Sequence, residues 1–278
     1  ISACLVGSEM CIRDRYYSFW RKNFMKVISI CSQKGGVSKS TTTIEIGTEF
    51  KKRGYSVLVI DFDQQCSLSK NVAADFSSPS IYDVLHADAS YEDAIQHLEF
   101  FDLIPASEKL SRADREFIGQ DDGFILADFV DMIKNDYDFV FVDNAPSRNI
   151  LLTMTYIASD YIIIPTECDE SSLDSLVTTQ RDINIIRNGR HHDSHAKIIA
   201  YVLTKNENTI MHKVALDNLK EIAAENPDKP FVATIRKSIK ASEIKTFHSA
   251  IVKDAPGSPL ARDYINIADK IEEKIMED

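Results

Sequence analysis

Between an apolar run, Val27 to Cys31, and a helical pattern beginning at Ser40 lies Gln33-Lys34-Gly35-Gly36-Val37-Ser38-Lys39-Ser40-Thr41. Glycines let successive backbone N–H groups turn toward an anion, a helix N-terminus adds the positive end of its dipole, and a lysine adds a full charge. Such a loop needs a strand behind it and a helix after it, so it predicts an α/β unit. The ordinary spacing G-x-x-x-x-G-K-[ST] is not met, because Gln33 and Ser38 stand where its glycines would be. The run fits K-G-G-x-x-K-[ST] instead, in which Lys34 is an additional cation. Taken alone, a solvated turn is its competing reading.

The rest of the chain supplies the unit. Apolar runs at Val27–Cys31, Val57–Ile60, Phe101–Ile104, Phe139–Val142, Tyr161–Ile164, Ile198–Leu203 and Phe231–Ile235 are near-continuous and rich in Val and Ile. Parallel strands covered on both faces have this composition. Between them lie helical patterns at Ser40–Arg53, Gly123–Lys134, Ser172–Arg187, Ile210–Glu225 and Pro259–Met276. The alternation predicts an α/β fold: a doubly wound, mostly parallel sheet with helices on both faces. Ligands in such sheets sit beyond the carboxyl ends of the strands. At 278 residues with 44% hydrophobic content the chain can bury one full core. A net charge of −11 argues against a surface that binds nucleic acid everywhere, though not against a local basic patch. No segment approaches the ~20 apolar residues needed to span a bilayer.

The first residues do not fit this scheme. Met10 to Arg15 resembles a translated sequencing-library transposon end, and the apolar stretch before it lacks the flanks of a signal peptide. Residues 1–24 are therefore expected to be a non-native or disordered head, Met25 the start, and residues 25–278 a single domain. Without the head, Cys31, Cys66 and Cys168 remain, with no C-x-x-C spacing, as expected of buried thiols in a reducing cytosol.

Two later strands end in acid: Asp61-Phe62-Asp63-Gln64-Gln65 and Asp143-Asn144-Ala145-Pro146-Ser147. An aspartate at a strand tip is well placed to support Mg²⁺, and each tip alone could equally be a helix cap or turn. Two of them after a phosphate loop favour a nucleotide site.

At this point a resemblance becomes plain. From Met25 onward the chain resembles the ParA-type partition ATPases, P-loop NTPases with a deviant Walker A loop. Lys34–Thr41, Val57–Gln65, Ser80–Leu85, Leu103–Ala106, Tyr137–Ser147, Ser159–Pro165 and Ser242-Glu243 carry it. The resemblance implies ATP and Mg²⁺ as cofactors. It implies that Lys39 holds the phosphates, surrounded by N–H groups of Gly35, Gly36, Val37, Ser38, Lys39, Ser40 and Thr41. Ser40, Asp61 and Asp143 would support the metal, and Asp63 would position the attacking water. Lys34 would reach the partner's nucleotide across an ATP-bound homodimer, so that hydrolysis depends on dimerisation. Thr204 and Asn206 would lie near the base; an exposed polar loop is the equal alternative. Two residues depart from the pattern. Ser38 replaces a glycine, at a cost on the order of 1 kcal/mol if φ is positive there, and Gln64 replaces a proline. An active but slow ATPase is expected.

Arg236, Lys237, Lys240, Lys245, Lys253 and Arg262 form a local basic cluster, suited to phosphate contacts without base readout. Family position favours Lys237 and Lys240, with Arg236 and Lys245 beside them. The expected partners are non-specific DNA and a ParB-like centromere-binding protein, and the expected location is the bacterial cytoplasm on the nucleoid. The head is too short for a helix-turn-helix domain, so operator binding is not expected. Membrane docking is not expected either, because Ile265 to Asp278 is acid-rich. A related ATPase that positions a protein cluster or microcompartment, and a weakly hydrolysing nucleotide-switch adaptor, are the alternative functions.

Overall fold

Runs of Val and Ile without polar alternation cannot leave one sheet face in water, and here both faces are covered. The computed structural model describes residues 25–189 and 193–278; the head, residues 1–24, lies outside the described residues. The strands are β1 (Lys26–Ile30), β2 (Val57–Phe62), β3 (Gln96–His97), β4 (Asp102–Ile104), β5 (Phe139–Asn144), β6 (Tyr161–Thr166), β7 (Lys197–Asn206) and β8 (Phe231–Arg236). In the first half the helices are α1 (Lys39–Lys52), α2 (Ser67–Asn71), α3 (Ile81–Leu85), α4 (Tyr91–Ala94), α5 (Ala113–Glu116) and α6 (Ile125–Met132). In the second half they are α7 (Ile150–Ala158), α8 (Glu170–Arg187), α9 (Ile210–Glu225), α10 (Lys240–Thr246), α11 (Ile251–Asp254) and α12 (Pro259–Glu277).

One sheet of order β3-β4-β2-β5-β1-β6-β7-β8 results, parallel except for the short edge pair β3–β4. The doubly wound arrangement expected from the sequence is present. Alternate residues of each strand feed opposite layers. Ile28, Val57, Val59, Phe139, Phe141 and Ile163 pack with Ile44, Ile46 and Phe50 of α1 and with the apolar stripe of α12. Leu58, Ile60, Val140 and Val142 face α6 and α7, while Ile162, Ile164 and Ile198 face α8 and α9.

Helix α1 is buried nearly all round although its sequence is mostly polar. Its charged groups Glu45 and Lys52 are bonded to the segment that follows Ala250. Glu45 Oε1 and Oε2 accept from the N–H groups of Ile251 and Val252, at 2.8 and 3.0 Å, and Lys52 Nζ donates to the Val252 carbonyl at 2.7 Å. Burial raises the Glu45 carboxyl to about 7, against the lowering effect of those two N–H bonds. The folded state thus holds this proton to higher pH than the unfolded chain. Between about pH 4.5 and 7 it binds more protons, and stability falls as pH rises through that window.

Glu45 should therefore contribute a loss on the order of 3 kcal/mol from pH 4.5 to 7.5. Urea denaturation of wild type and Glu45→Gln across this range checks it: the variant's stability should fall less steeply with pH. Parallel profiles would contradict the assignment.

Candidate functional site

The strand order reverses around β1, whose neighbours are β5 and β6. At this reversal the helices leave to opposite faces and open a crevice beyond the carboxyl ends. Parallel register aligns Asp143 with both Ile30 and Asp61. Asp61 shares the side of its strand with Val57 and Val59, and Asp143 with Phe139 and Phe141, all of which pack toward α1. Both carboxylates therefore point toward the first turn of α1, where Lys39 and Ser40 stand.

The loop before α1 turns through Gly36 at φ 80° and Ser38 at φ 66°, ψ 27°. The left-handed conformation that the missing glycine would have supplied is thus imposed on a serine. The Thr42 N–H returns to the Ser38 carbonyl at 2.9 Å. The N–H groups of Lys39, Ser40 and Thr41 fall in the first turn, where the helix provides no acceptor. Lys39 is buried, and its ammonium donates to the Lys34 carbonyl at 2.9 Å. Burial lowers its pKa, opposed by Asp143 and Asp63.

Asp61 is fully buried and well bonded: Oδ2 accepts from the N–H and hydroxyl of Ser69 at 2.8 and 2.7 Å, and Oδ1 from the Asp63 N–H at 3.2 Å. Burial outweighs these bonds and raises its carboxyl to about 6. Asp63 is buried too, and its Oδ1 accepts from the Gln65 N–H at 2.9 Å. Asp143 differs. It is fully buried, yet neither oxygen has a hydrogen-bond partner of ordinary geometry. Burial, and then the nearby Asp61, push its carboxyl well above the usual range, while the Ser40 hydroxyl and Lys39 act the other way.

A buried carboxylate without donors, beside a hydroxyl, has the donor set of a hard divalent cation. Among the described residues no cluster of three or more His, Cys, Asp or Glu could hold a metal. Mg²⁺ suits such a site, since it keeps several waters and takes one or two carboxylates plus phosphate oxygens. Ser40 and Asp143 could hold it directly. Asp61, already occupied by Ser69 and Asp63, could support it from behind.

Sequence reasoning missed how α8 holds the loop, because the contacts span well over a hundred residues. Ser32 meets Ser175 at 3.5 Å, Gln33 Nε2 donates to Asp182 Oδ2 at 2.6 Å, and Lys34 Nζ lies 2.5 and 2.6 Å from the Asp169 oxygens. Burial alone would raise the Asp169 carboxyl, but Lys34 and the adjacent serines hold it well below the usual range. Thr204 does not lie on an exposed polar loop: it is buried, with its hydroxyl against the carbonyls of Val37 at 3.4 Å and Thr166 at 3.1 Å. Asn206 closes β7 and its carbonyl accepts from the Lys237 N–H at 3.1 Å.

The basic cluster lies on β8 and the helices after it. Arg236 is clamped by Asp263 through two 2.7 Å bonds. Lys237 pairs with Glu207 at 2.7 Å and Lys253 with Glu99 at 2.6 Å. Lys240 is exposed at the start of α10, and the side chain of Lys245 lies outside the described residues. Exposed ion pairs such as Lys237–Glu207 are worth little and exchange readily for a phosphate.

Two substitutions test the site. Ser38→Gly should relieve the left-handed serine and raise stability by about 0.5–1 kcal/mol, read as a higher urea midpoint. Asp143→Asn should stabilise the ligand-free protein by removing a buried, donor-poor carboxylate, by about 1–3 kcal/mol. The same variant should lose any tightening of ATP binding by Mg²⁺, measured by titration with and without the ion.

An AAA-domain family model matches residues 25–198. The chromosome partitioning protein ParA of Caulobacter vibrioides is 30% identical over 238 residues, covering 83% of this chain and 87% of that protein. The sporulation initiation inhibitor Soj of Bacillus subtilis is 26% identical over 251 residues, covering 88% and 98%. Among solved structures, apo McdA of Cyanothece superposes with a TM-score of 0.80 at 20% identity, over 90% of this chain and 99% of that one. A putative plasmid partition protein of Borrelia burgdorferi bound to AMPPNP superposes with a TM-score of 0.72 at 24% identity, over 91% and 98%. With its phosphate loop, second lysine and paired strand-tip aspartates in the same crevice, the chain belongs to the ParA-type partition ATPase family.

Proposed function

We propose that this chain is a Mg²⁺- and ATP-dependent dimerising ATPase that binds DNA without sequence selectivity and segregates plasmid, phage or chromosomal DNA with a ParB-like partner. The observation that carries the reading is the buried pair Lys39 and Asp143. The ammonium rests on a backbone carbonyl, and the carboxylate has no hydrogen-bond donor of ordinary geometry. A triphosphate would replace the carbonyl at Lys39, and its bound cation would supply the counter-charge that Asp143 lacks. Solved structures of a Cyanothece McdA–ATP complex and of the AMPPNP-bound Borrelia burgdorferi protein support that ligand class.

The chain's own residues then divide the work. Amides of Gly35 to Thr41 and the Lys39 ammonium bind and orient the phosphates. Ser40 and Asp143 would hold the metal, which would supply neutralisation of charge on the phosphoryl oxygens. Asp63 orients water toward the terminal phosphate through its free Oδ2, Oδ1 being tied to Gln65. Lys34 crosses to a second copy's nucleotide, and to do so it must leave Asp169. Lys237 and Lys240 contact DNA phosphates. Two copies double this patch, which makes DNA binding follow ATP and places the protein on the nucleoid. Among the described residues no helix is long and apolar enough to cross a membrane.

The test is a DNA-binding titration on random-sequence duplex with parallel phosphate release. Wild type should bind DNA with ATP and not with ADP, more weakly at higher salt. Asp63→Ala should stay on DNA with ATP and release no phosphate. Lys237→Glu with Lys240→Glu should lose at least tenfold in DNA affinity at unchanged ATP affinity. Normal turnover by Asp63→Ala would remove its water-positioning role, and unchanged DNA affinity in the double variant would sink the patch.

A further inference from the structure

At the end of β7, a register shift, a left-handed backbone and a long-range side-chain contact meet on one residue. The β7–β8 register shifts between Leu203 and Asn206. Within that shift Lys205 adopts φ 52°, a left-handed conformation that costs a non-glycine residue about 1 kcal/mol. The Lys205 ammonium donates to the Gly36 carbonyl at 2.9 Å and pairs with Glu167 at 2.8 Å. Bulges next to active sites re-aim side chains, and strain of this kind persists where surrounding contacts enforce it. Here the re-aimed side chain reaches into the turn of the phosphate loop.

We infer that Lys205 is a positioning residue for the phosphate cradle, fixing the peptide planes whose N–H groups face the nucleotide's phosphates. In a trans peptide the carbonyl of one residue and the N–H of the next point in opposite directions. Lys205 draws the Gly36 carbonyl toward β7, and so turns the Val37 N–H away from β7. Thr204, one residue earlier, holds the Val37 carbonyl at 3.4 Å and thereby orients the Ser38 N–H. A Cβ built on Gly35 or Gly36 would meet nothing within 4 Å, so the space over this turn is open to a ligand.

This arrangement answers a need that the loop's own sequence creates. Gly36 makes the turn flexible, and Ser38 holds an unfavourable backbone conformation. Neither residue selects one orientation of the peptides between them; an external clamp does. Because Glu167 already neutralises the Lys205 charge, Lys205 acts on the loop's geometry more than on its overall potential.

The inference rests on the loop binding a nucleotide's phosphates, and its test separates the two. Lys205→Met and Lys205→Arg are compared with wild type, nucleotide-free and titrated with ATP and with ADP. In the nucleotide-free protein, Lys205→Met should shift the Val37 and Ser38 amide resonances, with the thermal midpoint unchanged. ATP and ADP should both bind about tenfold more weakly, since both present a β-phosphate to these amides. Lys205→Arg, which keeps a donor, should return the affinities to within about threefold of wild type. Wild-type amide resonances in Lys205→Met would overturn the inference whether or not ATP binds. Equal losses in both variants, accompanied by a lower thermal midpoint, would reduce Lys205 to a general structural role and overturn it too. Wild-type protein that bound neither nucleotide, with the amide shifts present, would support the clamp while rejecting the nucleotide reading.

Discussion

Three buried carboxylates, Asp61, Asp63 and Asp143, share a crevice with one buried ammonium, Lys39. The rest of the site depends on this imbalance. Burial raises the Asp61 carboxyl to about 6, pushes Asp143 well above the usual carboxylate range and lowers Lys39. The ligand-free crevice holds more acid than base: the acids lack a cation, and the Lys39 ammonium spends its hydrogen bond on the Lys34 backbone carbonyl. A phosphate chain carrying a divalent ion matches both at once, and neither half alone does.

Register produces the imbalance. Asp61 and Asp143 are aligned across β2 and β5, and each ends an apolar run whose alternate residues face α1. A slip of one residue in either strand would turn its aspartate to the other face, away from Lys39. The same slip in β5 would turn Phe139 and Phe141 out of their layer against α1 and into the opposite one, so hydrophobic packing enforces the chemical geometry. Asn144 adds a local lock: its amide donates to the Val142 carbonyl at 3.2 Å, and its oxygen accepts from Thr155 at 2.7 Å.

This dependence explains what the sequence makes legible. Continuous Val and Ile runs reveal the parallel strands, and a glycine–lysine loop followed by two acid-tipped runs reveals the crevice, because each signal is local. Strand β3 is only Gln96-His97, too short and polar to carry a period. Helix α7, Ile150–Ala158, is apolar on nearly every position and shows no amphipathic alternation. Helices α2 to α5 have four or five residues each, about one turn, where periodicity has no meaning. Lys34–Asp169 and Lys205–Gly36 join residues more than a hundred positions apart, and nothing local marks either pair. The left-handed backbone at Ser38 is the intermediate case. The departure from glycine is visible in the sequence, and its conformation follows once the loop type is known.

Helix α1 links the crevice to the other end of the molecule. Its first turn bears Lys39 and Ser40; its middle and last turns bear Glu45 and Lys52, bonded to α11. Arg53, just past its end, is held by Glu49 and by Glu272 and Asp269 of α12. The helix is packed nearly all round, so it has little room to bend or slide. The phosphate loop and the segment from α11 to α12 are thus fixed to one rigid element. Lys253 lies within α11, and α10, which begins at Lys240, immediately precedes it. Any shift that a ligand imposes on the first turn must be absorbed within α1 or appear at those contacts. Close packing leaves the second as the smaller cost.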